Sequence, residues 1–229
     1  MKRNDFLWLL LLVGLFAFVA IPQTREVFIG FTTAHPYVGG FLKFAVLATM
    51  GELLAIRTLI GEWAIPKGVG YKMIVWGFLG MIIVLIFGIF AAGVGGAIDK
   101  GLLPGKGSLL AFAFLTSLIM NITFAPIMMI FHRITDTIID LKYTDKGSRI
   151  NVSYVIDKVD WGKFYSFVIC KTIPFFWIPA HTLTFMLSPE YRVLMAAGLS
   201  LALGLILAFA KKKATQSSEL PQQNVINVE

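Results

Sequence analysis

Four strongly polar side chains stand inside long apolar runs: Glu52, Asn121, Lys171 and His181. A charge at the centre of a hydrocarbon layer costs about 2.5–3.5 kcal/mol on insertion scales, so such residues are paired, wet or functional. Glu52 lies eight residues before the end of the run Val38–Ile60, and Lys171 seven residues after the start of Phe164–Leu187. At 1.5 Å per residue both sit roughly 10–12 Å from the same side of the layer. Their charges oppose. At about 100° per residue neither Lys43 nor Arg57 shares the helical face of Glu52. The expectation is a Glu52–Lys171 contact, either a clamp between two helices or part of a water-filled path. Asn121 falls within reach of the same layer. His181 has no companion ligands nearby in sequence, so it reads as a hydrogen-bonded interior residue, with proton sensing as the functional alternative. Lys43 and Arg57 lie near run ends and can snorkel, and His132 also lies at a run end. There is no phosphate loop, nucleophile elbow, HExxH or CxxC. No catalytic residue, metal ligand set or cofactor is expected, and the chain does not read as an enzyme.

The elements that must hold these residues follow from composition. The 229 residues are 57% hydrophobic and 14% charged, with mean hydropathy +0.79. Soluble domains run at about 45–50% apolar and about 25% charged. A soluble, disordered or disulfide-rich secreted chain is therefore excluded, the last also by the single Cys170. Six apolar runs occur: Phe6–Ile21, Val38–Ile60, Met73–Ala97, Leu109–Phe131, Phe164–Leu187 and Val193–Ala210. Each is near the roughly 20 residues a helix needs to cross a bilayer. Helices satisfy their own backbone hydrogen bonds in lipid, so the runs predict helices and not strands. The expected fold is an all-α integral membrane protein, a bundle of about six transmembrane helices in one domain over residues 1–213. Pro126 should kink the fourth helix, and Pro174 and Pro179 should break the fifth. Residues 214–229 are polar and aperiodic and predict a disordered tail. The first run resembles a signal peptide, but Phe18 stands where cleavage after Ala20 needs a small residue, so a retained span is expected.

Charge sets the orientation. With a cytoplasmic amino terminus, thirteen of the twenty Lys and Arg residues fall on the cytoplasmic side and four on the other. This asymmetry predicts six spans with both termini cytoplasmic. It also accounts for the net charge of +7 without nucleic acid as a partner. The partner expected is the lipid bilayer itself. After Gly147, the positions Val152, Val155, Ile156 and Val159 form an apolar stripe, which fits a helix on the membrane surface or one packed on the bundle's end. Cys170 reads as a small packed hydrophobe. Small residues recur every fourth position at Ala196, Ser200, Gly204 and Ala208, at Gly88, Ala92 and Gly96, and at Gly51 and Ala55. Such ridges let helix backbones approach, within the chain or between copies in a homo-oligomer.

The stretch FFWIPAHTLTFMLSPEYRVL resembles the hallmark of the 22-kilodalton peroxisomal membrane protein and Mpv family. Trp177, Pro179, Phe185, Pro189, Tyr191 and Arg192 match it in order, with Ile178 between the Trp and the Pro. ATMGELLA, containing Gly51 and Glu52, resembles the family's Gly-Asp segment. MNITFAP, with Asn121, Ala125 and Pro126, resembles its Asp-Gln…Ala-Pro segment. The resemblance implies a small multi-span protein with a channel-like or solute-homeostasis role. Family members typically have four spans, fewer than expected here. No Arg- and Ser-rich transit segment precedes the first run, so a cytoplasmic membrane of bacterial type is expected and not an organelle. The second functional expectation is an assembly partner that docks other membrane proteins through its small-residue faces.

Overall fold

A computed structural model describes residues 3–145 and 149–219. Among these residues all regular structure is helical. Helix α1 spans Arg3–Ala20, α2 Pro22–Ala34, α3 Pro36–Ile60 and α4 Val69–Asp99. Then come α5 (Leu109–Thr123), α6 (Ala125–Thr144), α7 (Val152–Lys158) and the single turn α8 (Trp161–Lys163). A π-helix, Phe164–Trp177, runs directly into α9 (Ile178–Met186), and α10 (Pro189–Glu219) ends the described chain. Residues 220–229 of the expected tail lie outside the described residues, and 214–219 continue α10.

Boundaries follow local chemistry. Pro22, Pro36, Pro126, Pro179 and Pro189 each occupy the opening turn of a helix, where the missing N–H costs nothing. Gly61 ends α3 in the left-handed region (φ 77°), with its N–H bonded to the Arg57 carbonyl. Ser108 caps α5, its Oγ accepting from the Ala111 N–H at 3.2 Å.

Four helices are long and apolar enough to cross a membrane: α1, α3, α4 and the stretch Pro189–Ile206 of α10. A fifth exists if α5 and α6, which meet at a 47° bend, form one span. The expected fifth run is not broken apart by its prolines. Pro174 sits inside the π-helix and Pro179 in the first turn of α9, so the prolines coincide with a change of helix type. The wider i→i+5 pattern of the π-helix accommodates residues an α-helix would expel.

α3 is packed between α4 and α10. Both contacts depend on glycine. A Cβ on Gly204 would lie 3.0 Å from the Gly51 carbonyl oxygen, and one on Gly40 would lie 2.8 Å from that of Gly80. The ridge Ala196, Ser200, Gly204, Ala208 thus faces α3, with Ala196 and Ala208 buried. Gly88, Ala92 and Gly96 face outward instead. Phe44, Leu47, Phe87, Met120 and Phe185 anchor the core, while Phe, Leu and Ile side chains of α1, α4 and α10 cover much of the outside. α1 has no buried residue, yet Asp5 binds Arg57 at 2.9 Å and accepts from Trp63 at 2.6 Å, which ties it to the end of α3. α7 is packed by Val155 and Val159, both buried, whereas Val152 and Ile156 are exposed. Cys170 is exposed on the π-helix, contrary to the expected packed position.

Candidate functional site

The polar residues expected as one layer form two separate sites, and one of the four joins neither. The first site lies at the end of the bundle where α3 stops and α4 starts. Glu52 Oε1 accepts a hydrogen bond from Trp76 Nε1 at 2.8 Å. The Trp76 ring lies against His132, with centroids 4.2 Å apart. His132 Nε2 is 3.9 Å from Asp136 Oδ2, one turn further along α6. Lys72 Nζ lies 3.9 Å from Asp136 and 3.0 Å from Asp140. The antiparallel register of α4 and α6 builds this: residues 72 and 76 meet 136 and 132, each pair four apart on its own helix and therefore on one face.

The imidazole and the two carboxylates of Glu52, His132 and Asp136 offer ligand atoms that all lie within 4.8 Å of one another. His132 and Asp136 side chains are each 19% exposed, so the site is half-buried and not sealed. His132 Nε2 and Asp136 Oδ1 are out of solvent contact and have no hydrogen-bond partner. Arg133 is exposed beside the cluster.

The second site joins α5 to α9 and is fully buried. Asn121 Nδ2 donates to the Ser117 carbonyl at 2.8 Å. His181 Nδ1 is 3.1 Å from Asn121 Nδ2 and 3.3 Å from Oδ1, so either tautomer has a partner. Ser117 Oγ donates to the Ile178 carbonyl at 2.7 Å. The His181 ring stacks on Trp177 at 5.1 Å and meets Phe87 edge-on at 5.6 Å. Phe44, which stacks on Trp76 of the first site, belongs to the same hydrophobic cluster as Phe87.

Lys171 is exposed on the π-helix, and the expected Glu52–Lys171 pair does not form. Similar depth did not bring the two together: Glu52 meets Trp76, His132 and Asp136 instead, while Lys171 is exposed. His132, set aside from sequence as a run-end residue, is a centre of the first site, together with Lys72, Trp76 and Asp136. The signal available was the spacing His132, Asp136, Asp140 on one helical face.

Of the hallmark residues, Trp177 and Phe185 are buried against His181 and Phe87. Arg192 closes the end of α9, donating to the Leu187 carbonyl at 2.9 Å and the Phe185 carbonyl at 3.3 Å. Tyr191 stacks on Phe28 at 6.1 Å. Beside Arg192, a cavity of about 390 Å³ is lined by Thr32, Lys43, Phe87 and Glu190. Lys43 there donates to Thr32 Oγ1 at 2.9 Å. Neither a family model, a curated protein nor a solved structure matches the chain.

Proposed function

We propose that the protein is a multi-pass protein of the cytoplasmic membrane with a channel-like or transport-related role in small-solute homeostasis, and that it is not an enzyme. Six spans with both termini cytoplasmic fit the charge asymmetry, the π-helix and α9 together supplying the fifth crossing. The carrying observation is the charged cluster of Glu52, Lys72, His132 and Asp136 held between apolar helices. Ionisable groups in that setting are expensive and are retained where ions or polar solutes pass. A cavity lined by Lys43, Arg192 and Glu190 among apolar residues stands apart from the cluster, with the aromatic core around Phe44 and Phe87 between them. Polar stations on two sides of an apolar plug are what a closed pathway needs. The resemblance to the peroxisomal membrane protein and Mpv family supports the same reading, since Glu52 and Asn121, its counterparts in two motifs, fall one in each polar site.

Purified protein in liposomes tests this. Single-channel recording in KCl and CaCl₂ across pH should give unitary currents that Glu52→Gln reduces. Silent bilayers under every condition would overturn the transport reading. Reporter fusions after Lys106 and Lys213 should read outside and inside, and the same reading at both would sink the six-span topology. The second reading, a docking partner, is favoured by Gly88, Ala92 and Gly96, which face outward with open space beside both glycines. It predicts a stoichiometric membrane partner or a second copy cross-linked through Ala92→Cys.

A further inference from the structure

We propose that Glu52, His132 and Asp136 form a binding site for a divalent transition-metal cation. The observation is independent of any transport activity. Three potential ligands from two separate helices converge, with all ligand atoms within 4.8 Å. Two of those side chains carry atoms, His132 Nε2 and Asp136 Oδ1, that are buried without a hydrogen-bond partner; the nearest opposite charges, Asp136 Oδ2 and Lys72 Nζ respectively, each stand off at 3.9 Å. Such orphaned atoms are rare in folded proteins and cost free energy unless something satisfies them. Nε2 and Asp136 Oδ2 stand 3.9 Å apart. That is too far for a hydrogen bond, and a few tenths of an ångström beyond the roughly 3.3–3.6 Å between two tetrahedral ligands that each hold one ion at about 2.0–2.2 Å, a gap that small side-chain rotations close.

The donor set selects the ion. One imidazole and two carboxylates suit Zn²⁺ or Mn²⁺, whereas Ca²⁺ and Mg²⁺ favour all-oxygen sites. Three protein ligands leave a coordination position for water or a second molecule. The surroundings supply the outer hydrogen bonds that such sites use. Trp76 Nε1 fixes one oxygen of Glu52 and leaves the other to the ion. Lys72 is the competing cation, but its close contact is to Asp140 at 3.0 Å, with Asp136 at 3.9 Å. No ion pair within 4.0 Å joins it to Glu52 among the described residues. Lys72 therefore holds Asp140 aside and orients Asp136 and does not neutralise the whole cluster.

The test is isothermal titration of the full-length, tag-free protein in detergent with Zn²⁺ and, separately, Mn²⁺. One ion per chain is expected for at least one of the two metals. Glu52→Gln, His132→Gln and Asp136→Asn should each weaken binding tenfold or more. Trp76→Phe, which removes only the bond that orients Glu52, should weaken it by roughly tenfold. His181→Gln, in the separate site between α5 and α9, should bind as the unmodified protein does. Size-exclusion profiles identify variants that fail to fold, and for those the metal-induced rise in melting temperature of the remaining variants decides. No saturable binding in the monodisperse unmodified protein would overturn the site. So would binding that survives unchanged in any of the three ligand variants. If the ion binds while bilayers stay silent, this inference stands and the transport reading falls. Currents without binding give the reverse.

Discussion

At the contact of α5 and α9, Asn121, Ser117 and His181 are neutral, buried and bonded to one another and to the Ile178 carbonyl. At the contact of α3, α4 and α6, Glu52, Lys72, His132 and Asp136 are charged or chargeable, half-buried and incompletely bonded. Both sites sit in the same apolar bundle, so burial alone does not tell structure from function. The difference lies in charge and in how far the polar side chains satisfy one another, although Trp177 Nε1 beside His181 is also buried without a partner. A neutral network closed on itself contributes stability and helix specificity. A charged one left with open valences is retained at a cost, and the cost needs another reason.

The largest stability effect should come from the closed site. Asn121→Leu orphans His181 Nδ1 and loosens Ser117, at about 1–3 kcal/mol for a buried unpartnered group, toward the lower end if both states stay in lipid. Thermal unfolding in detergent should show the loss, and the double change Asn121→Leu with His181→Leu should recover part of it. A single variant as stable as the unmodified protein would break the assignment of this site as a structural staple.

Glu52→Gln should behave in the opposite way. The amide oxygen still accepts from Trp76, and one charge leaves a half-buried cluster, so stability should move by less than about 1 kcal/mol. Channel currents and metal binding should fall together. A stability loss as large as that of Asn121→Leu, with currents intact, would erase the distinction between the two sites.

The bundle was legible in the sequence to the extent that composition and period carry it. The start of α5 and the end of α3 fall where Leu109 and Ile60 placed them, because Ser108 is a local start signal and Gly61 a local stop signal. The ridge on α10 lies against a helix because Gly204 meets Gly51 at close range, whereas the same spacing at Gly88, Ala92 and Gly96 faces outward, so spacing alone did not decide which ridge packs. What failed was azimuth and register. His132 lies beyond the bend at Phe124, where α6 turns by 47° and carries the face of His132, Asp136 and Asp140 back along α4. No local pattern in either segment announces that Trp76 and Lys72 will be opposite it. Asn121 and His181 were each singled out as polar residues within apolar runs, but their pairing needed the antiparallel register of α5 and α9.

A smaller effect separates a charged contact at the margin from the charged cluster itself. Arg57 and Asp5 are 2.9 Å apart, but their side chains remain 25% and 18% exposed. A solvent-reaching pair of this kind contributes little and weakens with salt. Arg57→Gln should lower the melting temperature slightly in low salt and not at all in 1 M NaCl. A salt-independent loss would mean that α1 is held more firmly by this contact than its exposed surface suggests.

The smallest effect concerns Lys171 and tests the comparison from outside both sites. Its charge and depth suggested a partner in Glu52, on the assumption that the run Phe164–Leu187 winds as an α-helix. It does not: the π-helix wraps more residues into each turn, so side chains drift away from the faces that a period of 3.6 assigns them. Lys171 then emerges on the exposed side, while Glu52 has Trp76 and the α6 cluster for neighbours. Lys171→Met alone should therefore change stability by no more than about 0.5 kcal/mol. Combined with Glu52→Gln, the two changes should add, with a coupling inside the roughly 0.3–0.5 kcal/mol seen for sites that do not touch. Metal binding and currents should follow Glu52 alone. A coupling clearly above that range would require a conformation in which the π-helix has rewound and carried Lys171 inward, and the charged site would then extend across the bundle and no longer end at α6.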